Sequence, residues 1–193
     1  MPRAGLDAGT VTAAAATLAD EEGLAGLAMN AVAARLGVKT PSLYKHVEGI
    51  ADLTRRIAIL AADELGDELR DALQGRSGRD ALGAAAQTVR SYVRRHPGRY
   101  DATVGIRPDG PHDPLAIALD RTLGSFAAAL HGYTLDPADE VHALRMLRSV
   151  LHGFATIEAS GGFQMATDVD PSLTWIVGFL DHGFLSIENK AVR

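Results

Sequence analysis

The chain predicts an all-α fold of about nine helices. Alanine and leucine are abundant, β-branched runs are short, and strict apolar/polar alternation is absent. Apolar residues instead recur at spacings of three and four between recognisable helix starts and stops. Two parts are expected: an N-terminal three-helix head over residues 1–50 and a helical body over residues 51–193, with the first body helix as the link.

In order, a first helix is predicted from about Thr10 to Glu22, with Val11, Ala14 or Ala15, and Leu18 on one face and Gly23 as its stop. A second runs from Met29 to Leu36 with Val32 and Leu36 inward. Gly37 suits the unusual backbone of the turn that follows. Thr40 reads as the N-cap of a third helix, Pro41 as its first helical residue, and Gly49 as the end. Leu43 and Val47, four apart, point inward. From Ile50 a long helix carries Ile50, Leu53, Ile57 and Leu60 and continues to about Leu73. After the break at residues 74–78 a fifth helix spans Asp80 to about His96, ending at Pro97-Gly98. A short helix or turn follows through Val104, and residues 105–114 form a loop.

Asp113-Pro114 and Asp136-Pro137 each pair a cap with a proline and open helices. The second of these runs to about Ser160 with Val141, Leu144, Leu147 or Leu151, Phe154 and Ile157 inward. Asp170-Pro171 opens the last helix, striped by Leu173, Ile176, Val177, Leu180, Phe184 and Ile187. The last two helices are long, carry small residues (Gly153, Ala155, Gly178, Gly183), and are bordered by few charges. That pattern predicts a homodimer built as a four-helix bundle.

Composition excludes several classes. At 193 residues the chain buries a real core, and 47% apolar with 22% charged residues is a globular balance. With no cysteine there is no disulfide framework and no thiolate metal site. No apolar run reaches the length of a spanning helix and no secretion signal is read, so a cytoplasmic protein without a membrane partner is expected. The net charge is −5, yet residues 30–56 carry five basic against two acidic side chains. A locally positive head on an acidic body permits specific nucleic-acid binding and disfavours a non-specific binder.

The site-bearing segment is Met29 to Val47. With Leu43 and Val47 inward, Ser42, Lys45 and His46 face outward and Tyr44 a flank, with Lys39, Thr40 and Pro41 at the tip. Such a polar, positive, aromatic edge on a short helix fits the major groove of DNA. The start of the fourth helix, near Ile50, offers backbone N–H groups to a phosphate.

Leu36-Gly-Val-Lys-Thr-Pro-Ser-Leu-Tyr-Lys-His-Val47, followed by Ile50-Ala-Asp-Leu-Thr54, resembles the helix-turn-helix of the TetR (tetracycline-repressor-like) family, whose most specific local signature is the Leu-Tyr-x-His step. The resemblance covers about Thr10 to Leu60 by motif. Leu151-His-Gly-Phe154 is similar to the family branch marked by Trp-His-Gly, with leucine in place of tryptophan. The resemblance implies a transcriptional regulator, a repressor, binding a palindromic operator as a homodimer through its last two helices and released by a small-molecule effector. It implies DNA contacts by Lys39, Thr40, Pro41, Ser42, Tyr44, Lys45 and His46, with Asn30 on a phosphate. Gly49-Ile50 stand where many relatives carry a lysine, and the basic N-terminal arm is reduced to Arg3. The competing reading is a helical small-molecule-binding protein or enzyme whose head does not read DNA.

Other constellations carry little. The histidines outside the head show no His-Glu-x-x-His spacing, no nucleophile or phosphate-loop motif occurs, and no metal, cofactor or catalytic residue is expected. Tyr92, Tyr100, Phe126, His131, Phe154 and Trp175 are the candidates to line an effector pocket between body helices.

Overall fold

The structure, a computed structural model, describes residues 6–191, with side chains through residue 187. Among the described residues there are nine α-helices, one 3-10 turn and no strand. The helices are α1 (Ala8–Glu22), α2 (Met29–Leu36), α3 (Thr40–Leu43), α4 (Ile50–Leu73), α5 (Gly78–Arg95), α6 (Pro97–Ala102), α7 (Pro114–Leu130), α8 (Pro137–Ala159) and α9 (Val169–Ala191). Arg3, the remnant of the basic arm, lies outside the described residues.

The chain divides into two compact units. One runs to Asp63 and takes in Arg95–Leu119; the other holds Glu64–Arg94 and the chain from Asp120 onward. The head unit therefore includes the first turns of α4, all of α6 and the start of α7 as well as the first three helices.

Local chemistry accounts for most boundaries. Asp7, rather than a residue near Thr10, caps α1, its carboxylate accepting from Thr10 N–H at 2.7 Å. Gly37 sits in the left-handed region at φ 65°, and the Gly37 and Val38 N–H groups return to Ala34 and Ala33 carbonyls at 3.1 and 3.0 Å. Only a residue free of a Cβ enters that conformation without strain, so α2 stops there. Asp136 caps α8 ahead of Pro137.

In the head, Val11, Ala15, Leu18, Val32, Leu43, Val47, Leu53 and Ile57 form one buried cluster, joined by Ala102 of α6 and Leu115 of α7. At Gly98 the two helices α1 and α6 lie against one another. A Cβ built there would lie 1.9 Å from the Ala19 carbonyl oxygen. Asp20 ties the same two helices, 3.0 Å from His96 Nδ1 and accepting from the Arg99 N–H at 2.9 Å.

In the second unit, Leu82, Val89, Tyr92, Leu147, Leu151, Phe154, Leu173, Val177 and Phe184 are buried. Arg90, 9% exposed, holds Glu158 near the end of α8 at 2.6 and 2.5 Å and Asp170 in the first turn of α9 at 2.7 Å. A guanidinium so enclosed is tolerated because both carboxylates neutralise it.

Three residues expected inward are exposed: Ile50 at 39%, Val141 at 51% and Ile157 at 44%. Ile50 is the first residue of α4, one turn before its buried stripe begins at Leu53. The α8 stripe centres on Ala143, Leu147 and Leu151. Six residues from Leu147, Val141 stands roughly 120° around the helix at about 100° per residue. Ile157 falls on the opposite edge of that stripe.

Gly98→Ala drives a methyl group into the Ala19 carbonyl, so it is expected to destabilise the protein by about 3 kcal/mol. Denaturant melts of the two proteins, with an unchanged midpoint as the contrary result, measure this.

Candidate nucleic-acid interface

The second and third helices of the head and the turn after them build the surface. The third helix is shorter than its sequence suggested. Regular helix covers only Thr40–Leu43, and Lys39, not Thr40, is the flanking N-cap residue, without a side-chain cap. Thr40 and Pro41 are already inside the first turn. Tyr44, Lys45 and His46 follow on a turn in which His46 and Val47 N–H groups both bond the Leu43 carbonyl, at 2.9 and 3.1 Å. The shared acceptor tightens the end of the helix and carries the chain toward Gly49.

Leu43 is wholly buried and Val47 is 2% exposed, so both inward anchors sit in the head core. Lys39, Pro41, Tyr44 and Lys45 are exposed, whereas Thr40, Ser42 and His46 are half-buried. Tyr44 is 57% exposed, which leaves most of its ring, and not only its hydroxyl, in solvent. Asn30 is exposed in the first turn of α2, its Oδ1 accepting from the Ala31 N–H at 3.0 Å, so its amide N–H₂ is directed outward as a donor.

Charge on this surface is narrower than the count over residues 30–56 implies. Arg35 donates to Glu21 through both terminal nitrogens, at 2.6 and 2.7 Å. Arg56 bonds Asp52 at 3.0 Å, and Arg55 is paired with Asp113 and, at 3.2 Å, with Asp109. Lys39 and Lys45 form no ion pair among the described residues. They are the two cations of the segment left to meet an anion. At the start of α4, Asp52 turns back to accept from the Glu48 N–H at 2.9 Å. This ties the chain ahead of Gly49 to the first turn and sets a carboxylate near Ile50, weakening that helix end as a phosphate seat.

These pairs also set carboxylate acidity. The Arg35 hydrogen bonds hold Glu21 below its usual range. Backbone N–H groups of Asp109 and Leu115, with Arg55 behind them, hold Asp113 low. At Asp52 burial pushes upward, but the Glu48 N–H and Arg56 outweigh it and the net displacement is downward.

The effector candidates occupy several different surroundings among the described residues. Tyr92, Phe126 and Phe154 fill the packed interior of the second unit; Tyr92 donates to Glu64 at 2.8 Å, and Phe154 stands 5.0 Å from the ring of Phe163. Tyr100 is half-buried and belongs to the head unit. His131 lines a cavity of about 380 Å³ at the α7–α8 corner. Trp175 is 69% exposed, stacked on Phe179 at 5.5 Å beside an open groove. Large aromatics are what an alanine-rich helical body uses to fill volume, which is why three of the six became core. No group of three metal-ligating side chains occurs among the described residues, and no helix there is long and apolar enough to cross a membrane.

A helix-turn-helix head with two free lysines and an outward tyrosine, on an all-helical body, defines a DNA-binding regulator class. Comparison with known proteins fixes the family. Residues 11–57 match the family model for bacterial regulatory proteins of the tetR family, and residues 82–180 match that for the tetracyclin repressor-like C-terminal domain. An HTH-type transcriptional regulator of Mycobacterium tuberculosis is 37% identical over 79% of this chain and 70% of its own. The HTH-type transcriptional regulator YobS of Bacillus subtilis is 29% identical over 99% of this chain and 98% of its own. A TetR variant from Acinetobacter baumannii AYE, crystallised with minocycline, shares the fold with a TM-score of 0.69 at 24% identity, covering 95% of this chain and 99% of that one. The chain belongs to the TetR family of DNA-binding transcriptional regulators.

A carboxylate held low in the folded state stabilises fully above the ordinary carboxylate range and loses that contribution as pH falls through its depressed value. Calorimetry is therefore expected to show the head melting at lower temperature at about pH 3 than at about pH 6. Asp113→Asn is expected to flatten that dependence, and an equally steep profile in the variant would contradict it.

Proposed function

We propose that the protein is a ligand-responsive repressor that binds a palindromic operator as a homodimer, acts in the cytoplasm and catalyses no reaction. The observation that carries the DNA reading is the pairing of two buried anchors, Leu43 and Val47, with the unpaired Lys39 and Lys45 on the opposite edge. Asn30, Lys39, Thr40, Pro41, Ser42, Tyr44, Lys45 and His46 are the proposed contact set. Lys39 and Lys45 serve phosphates or a guanine edge; Tyr44 and Asn30 serve phosphates; Thr40, Pro41 and Ser42 meet base edges at the helix tip. Two copies of this edge about 34–36 Å apart would occupy successive major grooves.

The dimer is proposed to form through α8 and α9. Both helices expose apolar groups to solvent: Met146 at 51% and Ile157 at 44% on α8, Trp175 at 69%, Phe179 at 64% and Leu185 at 41% on α9. So many large apolar side chains on two adjoining helices mark an interaction face rather than a finished surface. Leu151-His152-Gly153, close to Trp-His-Gly, supports assigning the body to that branch of the family. An effector acts by binding one arrangement of the body more tightly than another and so changing the head spacing.

Selection of bound fragments from random DNA is expected to return an inverted repeat, and recovery of no enriched sequence would defeat the reading. With that operator, log affinity against log salt is expected to lose about one unit of slope in Lys39→Ala and again in Lys45→Ala, because each lysine neutralises one phosphate. Arg35→Ala should leave the slope unchanged, since Glu21 already cancels that charge. Equal slopes in all four proteins would place the lysines away from the phosphates.

Phe179→Glu alters a side chain already in solvent, so the subunit is expected to stay folded. In sedimentation the dimer dissociation constant should rise at least about 30-fold, the loss of about 2 kcal/mol typical of an interface anchor. An unchanged sedimentation profile would move the interface elsewhere.

A further inference from the structure

We infer that the cavity at the α7–α8 corner is a binding site for a small apolar amine. It measures about 380 Å³, within the range of small-ligand pockets. Leu130, Leu135 and Val141 supply apolar wall, and Tyr133 completes the lining beside them. Its lining contains one carboxylate, Glu140, one imidazole, His131, and neither lysine nor arginine. The exposed Glu140 carboxylate makes no hydrogen bond or ion pair among the described residues, so its charge is available to a ligand.

The sign of the site follows from its place on α8. A helix N-terminus carries roughly half a positive charge, which by itself favours anions. Here Asp136, Asp139 and Glu140 crowd the cap and first turn and reverse that preference. An ammonium group set against Glu140, with its apolar part against the leucines, pairs with the one carboxylate of the lining. A carboxylate ligand would face repulsion, and a neutral one would leave Glu140 without a counter-charge.

The wall residue Tyr133 faces two ways. Its hydroxyl donates to Asp181 of α9 at 2.6 Å, and its ring lies 5.3 Å from Phe184 of the same helix. Burial and the Asp181 hydrogen bond together raise its pKa, so the phenol stays protonated and remains a donor. A ligand pressing on Tyr133 therefore bears on α9, one of the two helices proposed for dimerisation. This coupling rests on the proposed regulator; amine binding itself does not.

The test uses the full chain and 2-phenylethylamine as probe, with 2-phenylethanol and phenylacetate as neutral and anionic counterparts, in titration calorimetry. The expected result is saturable binding of the amine at least tenfold tighter than of the alcohol, with the acid weakest. Glu140→Gln should remove the preference for the amine over the alcohol. Val141→Trp, at a half-exposed position that does not endanger folding, should block both probes. The inference is overturned if the alcohol or acid binds as tightly as the amine, if none of the three binds, or if both variants retain wild-type affinity for the amine. Binding without any effect on operator affinity would uphold the site and refute only the coupling.

Discussion

A helix of four residues cannot hold itself. One turn fixes several backbone dihedrals in return for a single internal hydrogen bond, and in water that exchange is unfavourable. The orientation of α3 therefore depends on Leu43 and Val47 lodged among Val11, Val32, Leu53 and Ile57. Everything attributed to the outer edge follows from that burial. Once two side chains four residues apart are fixed inward, the helical period leaves Lys45 and Pro41 no other place than solvent. The shared Leu43 carbonyl, which bonds both His46 and Val47, then swings Tyr44 and Lys45 around the end of the helix.

Electrostatics on this surface are sparse. Among the basic residues of the segment, the arginines work as internal fasteners and the lysines as free charges. This division suits the two side chains. A planar guanidinium grips a carboxylate through two parallel bonds, whereas an ammonium on a flexible stem keeps its charge in water until an anion arrives. The acidic body and the short basic edge together favour selective rather than indiscriminate attraction to a polyanion.

Features governed by neighbours in the chain were legible in the sequence. The left-handed Gly37, the Asp136-Pro137 start of α8 and the inward pair Leu43 and Val47 each follow from a rule spanning a few residues. Features that depend on distant partners were not. Glu21 lies fourteen residues from Arg35 and Asp113 fifty-eight from Arg55, so nothing local announced that these arginines were already spoken for. The length of α3 was overestimated because helix propensity does not report the tightening at the Leu43 carbonyl. On α8, Val141 and Ile157 satisfied a loose apolar spacing yet sit at the margins of the stripe set by Leu147 and Leu151. The aromatic residues pose a related difficulty: a Tyr or Phe that fills a core and one that lines a cavity look alike in a chain of letters.

The contact of Gly98 with the Ala19 carbonyl bears on how this reading head could be transplanted. A segment cut after the third helix would leave the α1 surface around Ala19 and Asp20 bare, since α6 is what covers it. A chimera meant to keep its specificity must bring residues 95–119 along with the first sixty-three, or supply a substitute brace of equal thinness at that crossing.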